Sequence, residues 1–342
     1  MPPGWAPLSS ASVRRRTKPG RRLTGATIPA ASARVVAAIL LVASPLPALA
    51  DRAYVTCQNG TALSVLDLTS GAEVARWSVP GQPAGVAVAA SGAIYTVAAD
   101  SKTIRRHDRT GQVLAEVTLD GGPIGIAHDE SRGRIFVSDW YNARIWVLAD
   151  QSLEPLQELT TGAAPAGLAL SPDGRFLASA DRDADQVSIF DAGTLALLHR
   201  VSVGTRPFGL RFAPDGRLFA GNVGSDDLSI LDPGSGARLA TVPVGARPYG
   251  VAFAAGRAFV TNQYEDTLSV IDLATLKDLG RIDVGEYPEG IDTTAEGTRI
   301  VVANWFENTV TVVDTQSLQV VAVLDTCDGP RAFGRFIAGT AD

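Results

Sequence analysis

From residue 51 onward, short runs of alternating apolar and polar residues are separated by turn-forming residues. The segment AFVTNQYEDTLSVIDL (258–273) shows the unit: an alternating run, a polar bend and a second alternating run that ends at Asp272. Alternation with a period of two is typical of a strand that buries one face, so the segment predicts two antiparallel strands joined by a tight bend. Because one hairpin is only marginally stable in water, other strands must pack against it.

Six other segments repeat this unit, at residues 53–68, 94–109, 135–150, 176–192, 218–233 and 300–315. Each is followed by another alternating run and then by a Pro-x-Gly element that opens a further strand; in the last element alanine replaces the glycine. The prolines are spaced 40, 42, 42, 41, 40 and 42 residues apart. They are Pro83, Pro123, Pro165, Pro207, Pro248, Pro288 and Pro330.

A constant period with four strands per repeat predicts an all-β repeat fold, since helical spacing is absent. Radial packing of such sheets gives a seven-bladed β-propeller of four-stranded blades, predicted as one domain over residues 51–342. The chain begins with strands two to four of one blade and ends with a lone first strand at 330–337. We therefore expect the C-terminal first strand to close the ring by pairing with the N-terminal strands.

Aspartate ends the third strand in six of the seven repeats. A short carboxylate at a strand end accepts hydrogen bonds from turn amides, so we interpret this column as structural rather than catalytic. Its members are Asp67, Asp108, Asp191, Asp232, Asp272 and Asp314.

Residues 1–50 differ from the rest of the chain. They contain seven basic residues and no acidic one, and the apolar run VVAAILLVASPLPALA follows the basic part. A basic leader, a short apolar core and an Ala48-Leu49-Ala50 end predict a signal peptide cleaved near Ala50, and hence a periplasmic or extracellular protein. A membrane anchor is the alternative, but the run is shorter than the roughly 20 residues of a span and contains two prolines. Because the leader contains the pair Arg21-Arg22, export by the general secretory route and export by the twin-arginine route both remain open.

Removal of the leader makes the protein strongly acidic. Of 30 basic residues 7 leave and 23 remain, while all 36 acidic residues stay, so the formal charge becomes 23 − 36 = −13. Nucleic-acid binding usually needs a basic surface, so the sequence predicts no nucleic-acid partner. We also expect no membrane span after cleavage, and a monomer.

The segments YVTC (54–57) and FVTN (259–262) resemble the repeats of the YVTN-repeat propellers, a group of exported bacterial and archaeal proteins. The longer segment TLSVIDLATLKDLGRIDVGEYPEGI (267–291) is also similar to them. The resemblance implies the seven-bladed fold over essentially the whole chain after residue 50. Some relatives belong to periplasmic quinoprotein dehydrogenase systems, so the resemblance also implies an accessory role in such a system.

The two cysteines, Cys57 and Cys327, are predicted to form a disulfide. Cys57 ends the second strand of the closing blade, and Cys327 precedes the first strand of the same blade. The loops at these two positions lie on one face of a four-stranded meander, and an oxidising compartment favours the bond. A redox or metal-binding pair is the alternative, but it lacks Cys-x-x-Cys spacing and histidine neighbours.

The loops that enter the first strands and the bends between second and third strands are predicted to form one rim of the central channel. Aromatic and charged residues gather there, which is the composition of a binding surface. The alternative is that the large side chains only plug the channel mouth. The predicted binding residues are Trp140, Tyr141, Arg206, Phe208, Arg247, Tyr249, Tyr264, Tyr287, Glu289, Trp305 and Arg331.

Two functional hypotheses follow. The first is a non-catalytic binding or scaffold protein without a cofactor, whose partner is a periplasmic protein or an anionic small molecule, since Arg206 and Arg247 occupy one column on neighbouring blades. The second is a lactonase-like hydrolase that holds Ca²⁺ or another divalent cation with oxygen ligands. The three histidines, His107, His128 and His199, are expected at different radial depths, and no acidic pair stands at adjacent columns, so the sequence favours the first hypothesis.

The candidate metal ligands of the second hypothesis share one column at the end of the second strand, apart from one glutamate on a first strand. Asparagine also forms bends, so a structural role for the column is the alternative. Ala98, Ala180 and Cys57 are expected at the same position in the other three blades. The candidates are Asp139, Asn222, Asn262, Asn304 and Glu289.

Overall fold

The computed structural model describes residues 51–338, which form seven sheets from 29 strands, with two short 3-10 helices at Glu130–Arg132 and Arg182–Ala184. The predicted signal peptide lies outside the described residues. Within residues 51–338 there is no helix long and apolar enough to cross a bilayer.

Six blades, which we number 2 to 7 in chain order, each consist of four consecutive antiparallel strands, and the sheet of blade 2 has a fifth strand from the C-terminal segment. Blade 2 consists of β4 (Pro83–Val88), β5 (Ile94–Ala98), β6 (Thr103–His107) and β7 (Val113–Thr118). Blade 3 consists of β8 (Pro123–Asp129), β9 (Arg134–Asp139), β10 (Arg144–Ala149) and β11 (Pro155–Thr160). Blade 4 consists of β12 (Pro165–Leu170), β13 (Phe176–Asp181), β14 (Gln186–Asp191) and β15 (Leu197–Ser202). Blade 5 consists of β16 (Pro207–Phe212), β17 (Leu218–Asn222), β18 (Asp227–Asp232) and β19 (Ala237–Pro243). Blade 6 consists of β20 (Pro248–Ala254), β21 (Arg257–Asn262), β22 (Thr267–Asp272) and β23 (Asp278–Asp283). Blade 7 consists of β24 (Pro288–Thr293), β25 (Arg299–Asn304), β26 (Thr309–Asp314) and β27 (Val320–Asp325).

Blade 1 closes the ring with strands from both ends of the described chain. It contains β1 (Arg52–Cys57), β2 (Ala62–Asp67), β3 (Ala72–Ser78) and the C-terminal β29 (Ile337–Ala338), which pairs antiparallel with β1. The short β28 (Phe333–Arg335) lies just before β29 and pairs parallel with β4 of blade 2. The predicted all-β, seven-bladed propeller and its closure are therefore confirmed, with one addition: the closing segment also contacts the neighbouring blade.

The predicted disulfide is present in blade 1. Cys57 ends β1, and Cys327 lies two residues after β27, with a Cα–Cα distance of 5.6 Å. The bond joins positions 270 residues apart and lies beside the bridge between Cys57 and Pro330. A disulfide is consistent with an oxidising compartment.

The glycine of each Pro-x-Gly element is required by close packing between blades. The first strands contact one another around the ring, whereas the fourth strands are largely exposed. A Cβ atom on Gly209 would lie 1.9 Å from the carbonyl oxygen of Tyr249 on the next blade, and one on Gly125 would lie 2.1 Å from that of Ala166. Only glycine permits this approach, which explains the repeat.

The aspartates that end the third strands have the predicted structural role. Asp272 Oδ1 accepts a hydrogen bond from the N–H of Thr275 at 2.7 Å, and Asp314 Oδ1 accepts one from the N–H of Ser317 at 2.8 Å. In blade 3 Ala149 takes this position, and the following Asp150 is buried with Oδ2 3.3 Å from Nε2 of His128.

The hydrophobic core is divided into clusters that lie between adjacent blades. Phe136 of blade 3 packs with Leu177 and Phe190 of blade 4 in one such cluster, and all three are buried. Burying a side chain of this size stabilises the fold by about 1.5–3 kcal/mol. The packed blades therefore hold the loops of the rim in fixed positions.

Candidate functional site

The rim is formed by the bends between second and third strands and by the loops between blades. Asp185 in the bend of blade 4 accepts a hydrogen bond from the N–H of Arg206 at 2.7 Å, and Asp226 in blade 5 accepts one from Arg247 at 2.8 Å. Both arginines have φ of 55°, a conformation that is uncommon for residues other than glycine. The aspartates stabilise it and tie each blade to the next.

The middle residue of each Pro-x-Gly element lies at the mouth of the central channel. These residues are small or aliphatic in blades 2 to 4 and large in blades 5 to 7 and in the closing segment. They are Ala84, Ile124, Ala166, Phe208, Tyr249, Glu289 and Arg331. The mouth is therefore asymmetric, because its large and polar side chains come from one half of the ring.

Aromatic side chains close the channel below the rim. The ring centroids of Phe208 and Tyr249 are 4.2 Å apart, and Phe333 of the closing segment lies 5.4 Å from Phe208 and 5.3 Å from Tyr249. Trp140 is half-buried and lies 6.1 Å from Phe208. Burial, followed by the nearby Glu289 carboxylate, raises the pKa of Tyr249. Phe208 and Tyr249 thus form a buried floor.

A buried ion pair between Arg331 and Glu289 lies beside this floor. Arg331 Nε is 2.6 Å from Glu289 Oε2 and Nη2 is 2.9 Å from Oε1, so the contact is bidentate. The Glu289 side chain is 1% exposed, and its Oε1 also accepts a hydrogen bond from Gln263 at 2.6 Å. Arg331 also donates to Gln58 of blade 1 at 3.1 Å. Both oxygens of Glu289 are therefore used within the protein.

Four aromatic side chains of blades 6 and 7 form a second cluster above the rim, which we call the aromatic patch: Tyr264, Tyr287, Trp305 and Phe306. The ring of Tyr287 lies 5.5 Å from Tyr264, 5.6 Å from Phe306 and 6.2 Å from Trp305. Tyr264 and Phe306 are 54% and 60% exposed. Arg247 stacks on Tyr264 at 4.4 Å, and its Nη1 donates to the Tyr264 hydroxyl at 2.5 Å. The patch is thus continuous and open to solvent.

The other predicted binding residues lie apart from the patch. Tyr141 of blade 3 is 76% exposed, and Arg206 of blade 5 is exposed too. The Arg182 guanidinium lies 5.4 Å from the ring of Trp140. The predicted residues therefore divide into a buried floor, an open patch on blades 6 and 7, and isolated exposed side chains.

The candidate metal ligands at the ends of the second strands form hydrogen bonds to other groups of the protein. Asp139 Oδ1 accepts from the N–H of Gly122 at 2.8 Å, and Asn262 Oδ1 accepts from that of Gly245 at 3.1 Å. The Nδ2 group of Asn222 donates to Ser229 at 3.0 Å, and that of Asn304 donates to Thr311 at 2.8 Å. All four are fully buried on separate blades.

The assignment of Ala180 to this column is wrong. Asp181 is the residue that pairs with Pro165, just as Asp139 pairs with Pro123 in blade 3. Asp181 is also fully buried, and its Oδ2 accepts a hydrogen bond from the N–H of Gly162 at 2.8 Å. The prediction misaligned β13 by one residue, which exchanges the two faces of a strand.

The two aspartates of the column have opposite pKa shifts. Burial raises the pKa of Asp181, and hydrogen bonds from Ser188, Gln186 and Gly162 offset only part of this effect. Burial also acts to raise the pKa of Asp139, but the hydrogen bonds from Gly122 and Arg144, among others, hold it below its ordinary value. Residues 51–338 contain no group of three or more His, Cys, Asp or Glu side chains placed to hold a metal ion.

Phe333, Gln263 and Phe306 contribute to the site but were not among the predicted binding residues. Phe333 lies in the closing segment, where an irregular connection between β28 and β29 obscures the repeat. Gln263 and Phe306 lie in the same bends as Tyr264 and Trp305, so the position of the bends was the signal that could have identified them.

Comparison with known proteins supports the fold. A family model described as "Lactonase, 7-bladed beta-propeller" matches residues 128–237, which extend from the end of β8 to the start of β19. No curated protein matches the chain. The hydrazine synthase of Kuenenia stuttgartiensis has a similar structure, with a TM-score of 0.66, 17% identity and coverage of 74% of this chain and 89% of that one. A functionally unknown protein from Desulfotomaculum acetoxidans DSM 771 is also similar, with a TM-score of 0.72, 15% identity and coverage of 84% of this chain and 98% of that one. At these identities the two structures share the fold alone.

Proposed function

We propose that this seven-bladed propeller is an exported, non-catalytic binding or scaffold protein that captures a periplasmic protein on its rim. The observation that carries the proposal is the aromatic patch, four rings in continuous contact of which Tyr264 and Phe306 are more than half exposed. Contiguous exposed aromatic side chains of this kind are typical of protein-binding surfaces.

The channel mouth beside the patch has the character of a closed structural element. Glu289 is paired with Arg331, and Tyr249 is buried against Phe208 and Phe333. A catalytic centre needs ionisable groups that converge on an accessible point. Here the groups that converge are already bonded to one another, which supports binding rather than catalysis.

The resemblance to the YVTN-repeat propellers suggests a class of partner. Some of those proteins belong to periplasmic quinoprotein dehydrogenase systems, and we extend the proposal to an accessory role in such a system. The disulfide between Cys57 and Cys327 supports an oxidising location for this role.

A lactonase-like hydrolase is the second candidate, because the lactonase family model matches residues 128–237. It would use Asp139, Asn262, Asn304 and Glu289 around Ca²⁺ or another divalent cation. This donor set does not favour a cation, since Glu289 would first have to leave Arg331 and Asp139 would have to leave Arg144, which lies 2.8 Å away.

The test compares partner capture with hydrolysis. A tagged protein is purified from the periplasm of its host, as wild type, as Tyr264→Ala/Phe306→Ala and as the matched control Tyr141→Ala. We expect a co-purifying protein that is lost from the double variant and kept by the control. Capture that is equal in all three proteins would contradict the proposal. Turnover of a simple lactone with Ca²⁺, abolished by Glu289→Gln, would establish the hydrolase instead.

A further inference from the structure

Acidic residues surround the aromatic patch. Glu265 follows Tyr264, Glu286 precedes Tyr287, and Glu307 follows Phe306. All three glutamates lie at the solvent-facing rim, and Glu307 Oε2 accepts a hydrogen bond from the backbone N–H of Glu286 at 3.3 Å. The carboxylates of blades 6 and 7 are therefore interleaved with the rings.

The rim as a whole is acidic. Its seven bends and seven loops contain five basic residues and ten acidic ones, a formal charge of 5 − 10 = −5. The basic residues are Lys102, Arg182, Arg206, Arg247 and Arg331, and the last of these is already paired with Glu289. The acidic residues are Asp100, Asp120, Asp183, Asp185, Asp226, Glu265, Asp266, Glu286, Glu307 and Asp328.

The imbalance is greatest beside the patch. Five of the ten acidic residues lie in the bends and loops of blades 6 and 7: Glu265, Asp266, Glu286, Glu307 and Asp328. Two basic residues reach this part of the rim, Arg247, which lies over Tyr264, and Arg331, which is already paired with Glu289. Within residues 51–338 no ion pair neutralises Glu265, Glu286 or Glu307. An anionic guest would therefore be repelled here, whereas a cationic one would be attracted.

The molecule already contains an example of the contact that such a guest would make. The guanidinium of Arg247 lies over the face of Tyr264 at 4.4 Å, and that of Arg331 lies 5.9 Å from Trp305 on the inner side of the patch. Aromatic faces attract cations, and the attraction is stronger where carboxylates flank the rings. Phe306 remains accessible to a guest, since 60% of this residue is exposed.

We propose that the aromatic patch binds a lysine- or arginine-bearing segment of a partner polypeptide, with its cationic side chains on the rings and between Glu265, Glu286 and Glu307. The inference rests on the proposed function, and it specifies the chemistry of the partner. A polypeptide fits better than a small amine because Tyr264 and Phe306 are more than half exposed, so the rings do not enclose a cage. The two centroid steps from Tyr264 to Phe306, 5.5 and 5.6 Å, match roughly three residues of extended chain.

The test uses capped tetralysine, capped tetraglutamate and tetramethylammonium as probes, titrated into the oxidised protein and followed by calorimetry and by NMR of the aromatic side chains. We expect tetralysine to bind and tetraglutamate not to bind, with an affinity that falls steeply as salt rises. Glu286→Gln/Glu307→Gln should weaken tetralysine binding about tenfold, and Phe306→Ala about fivefold.

Two matched controls separate specific from general attraction. Glu154→Gln/Glu296→Gln removes the same charge from the opposite face, and Tyr141→Ala removes an exposed ring from the same bend position of blade 3. Both should change the affinity less than twofold. Equal weakening by the two glutamine double variants would overturn the proposal, as would binding of tetraglutamate. Tetramethylammonium binding as tight as that of tetralysine would overturn the assignment to a polypeptide.

The failure of this inference can be distinguished from the failure of the proposed function. If the natural partner is still captured by Glu286→Gln/Glu307→Gln, the charge assignment is wrong but the binding function stands. If tetralysine binds at the patch but no partner depends on Tyr264 and Phe306, the binding function is wrong while the chemical preference of the surface stands.

Discussion

Replacing Arg331 with methionine tests whether the ion pair at the channel mouth holds the ring closed. The change leaves the Glu289 carboxylate buried at 1% exposure with a single remaining side-chain donor, Gln263. Removing one partner of a buried pair costs about 3–5 kcal/mol, because the other charge stays desolvated and unpaired. We therefore expect the free energy of unfolding of Arg331→Met to fall by about 3–5 kcal/mol.

Double-mutant analysis isolates the interaction. In Glu289→Gln/Arg331→Met the buried charge is gone and the introduced amide can still accept a hydrogen bond from Gln263, so the loss should be no more than about 2 kcal/mol. The assay is urea unfolding at pH 7 of the oxidised protein, followed by tryptophan fluorescence. As a control, Arg281→Met breaks a more exposed pair of similar length, 2.7 Å to Asp278, and should cost less than about 1 kcal/mol. A loss below about 1 kcal/mol for Arg331→Met, or a double variant that equals the sum of the single ones, would refute the reasoning.

Three further predictions concern stability. Replacing Cys57 and Cys327 with serine opens a loop of 270 residues and should lower the free energy of unfolding by about 3–5 kcal/mol in denaturant titrations; an unchanged midpoint would contradict a structural role. Burial lowers the pKa of His107 below 6.5, so the unfolded chain binds more protons and stability should decrease as pH falls from about 6.5; His107→Gln should flatten this part of the curve. Burial raises the pKa of Asp181 in the folded protein above that in the unfolded chain, so the contribution of its protonated form to stability is lost as pH rises. Asp181→Asn should therefore raise the melting temperature by about 2 °C at pH 7 and by less near pH 4. A lower melting temperature at pH 7 would argue against this reasoning.

The fold could be predicted from the sequence because each blade repeats the same local requirements. Glycine is required in each Pro-x-Gly element because the carbonyl oxygen of the next blade leaves no room for a Cβ atom, as that of Tyr249 does at Gly209. Aspartate is favoured at the end of the third strand because it accepts hydrogen bonds from the N–H groups of the following turn. These constraints act within one repeat or between neighbours, so they leave a period in the sequence. The sequence prediction places the column of blade 4 one residue too early, at Ala180, whereas Asp181 is the residue that pairs with Pro165.

The division of the site into floor and patch could not be predicted in the same way. Phe208 and Tyr249 are buried because Phe333 packs against both rings, and Phe333 comes from a closing segment that departs from the repeat. The ion pair depends in the same way on Arg331, which lies 42 residues after Glu289 and one blade away. These contacts join residues that differ from one blade to the next, so they do not recur with the period of the repeat. The sequence therefore indicates which residues belong to the rim but not which of them contact one another.

The ring closure and the proposed binding surface are physically connected. Arg331 bonds to Glu289 and to Gln58 of blade 1, and its guanidinium also lies 5.9 Å from Trp305 of the aromatic patch. Trp305 in turn contacts Phe306, at 6.1 Å between centroids. A partner that binds the patch of the folded protein and not the unfolded chain should therefore stabilise the closed ring by RT ln(1 + L/Kd), where L is the free concentration of the partner and Kd its dissociation constant. The floor depends directly on this closure, because Phe333 of the closing segment packs against both Phe208 and Tyr249, whereas the four rings of the patch all come from blades 6 and 7.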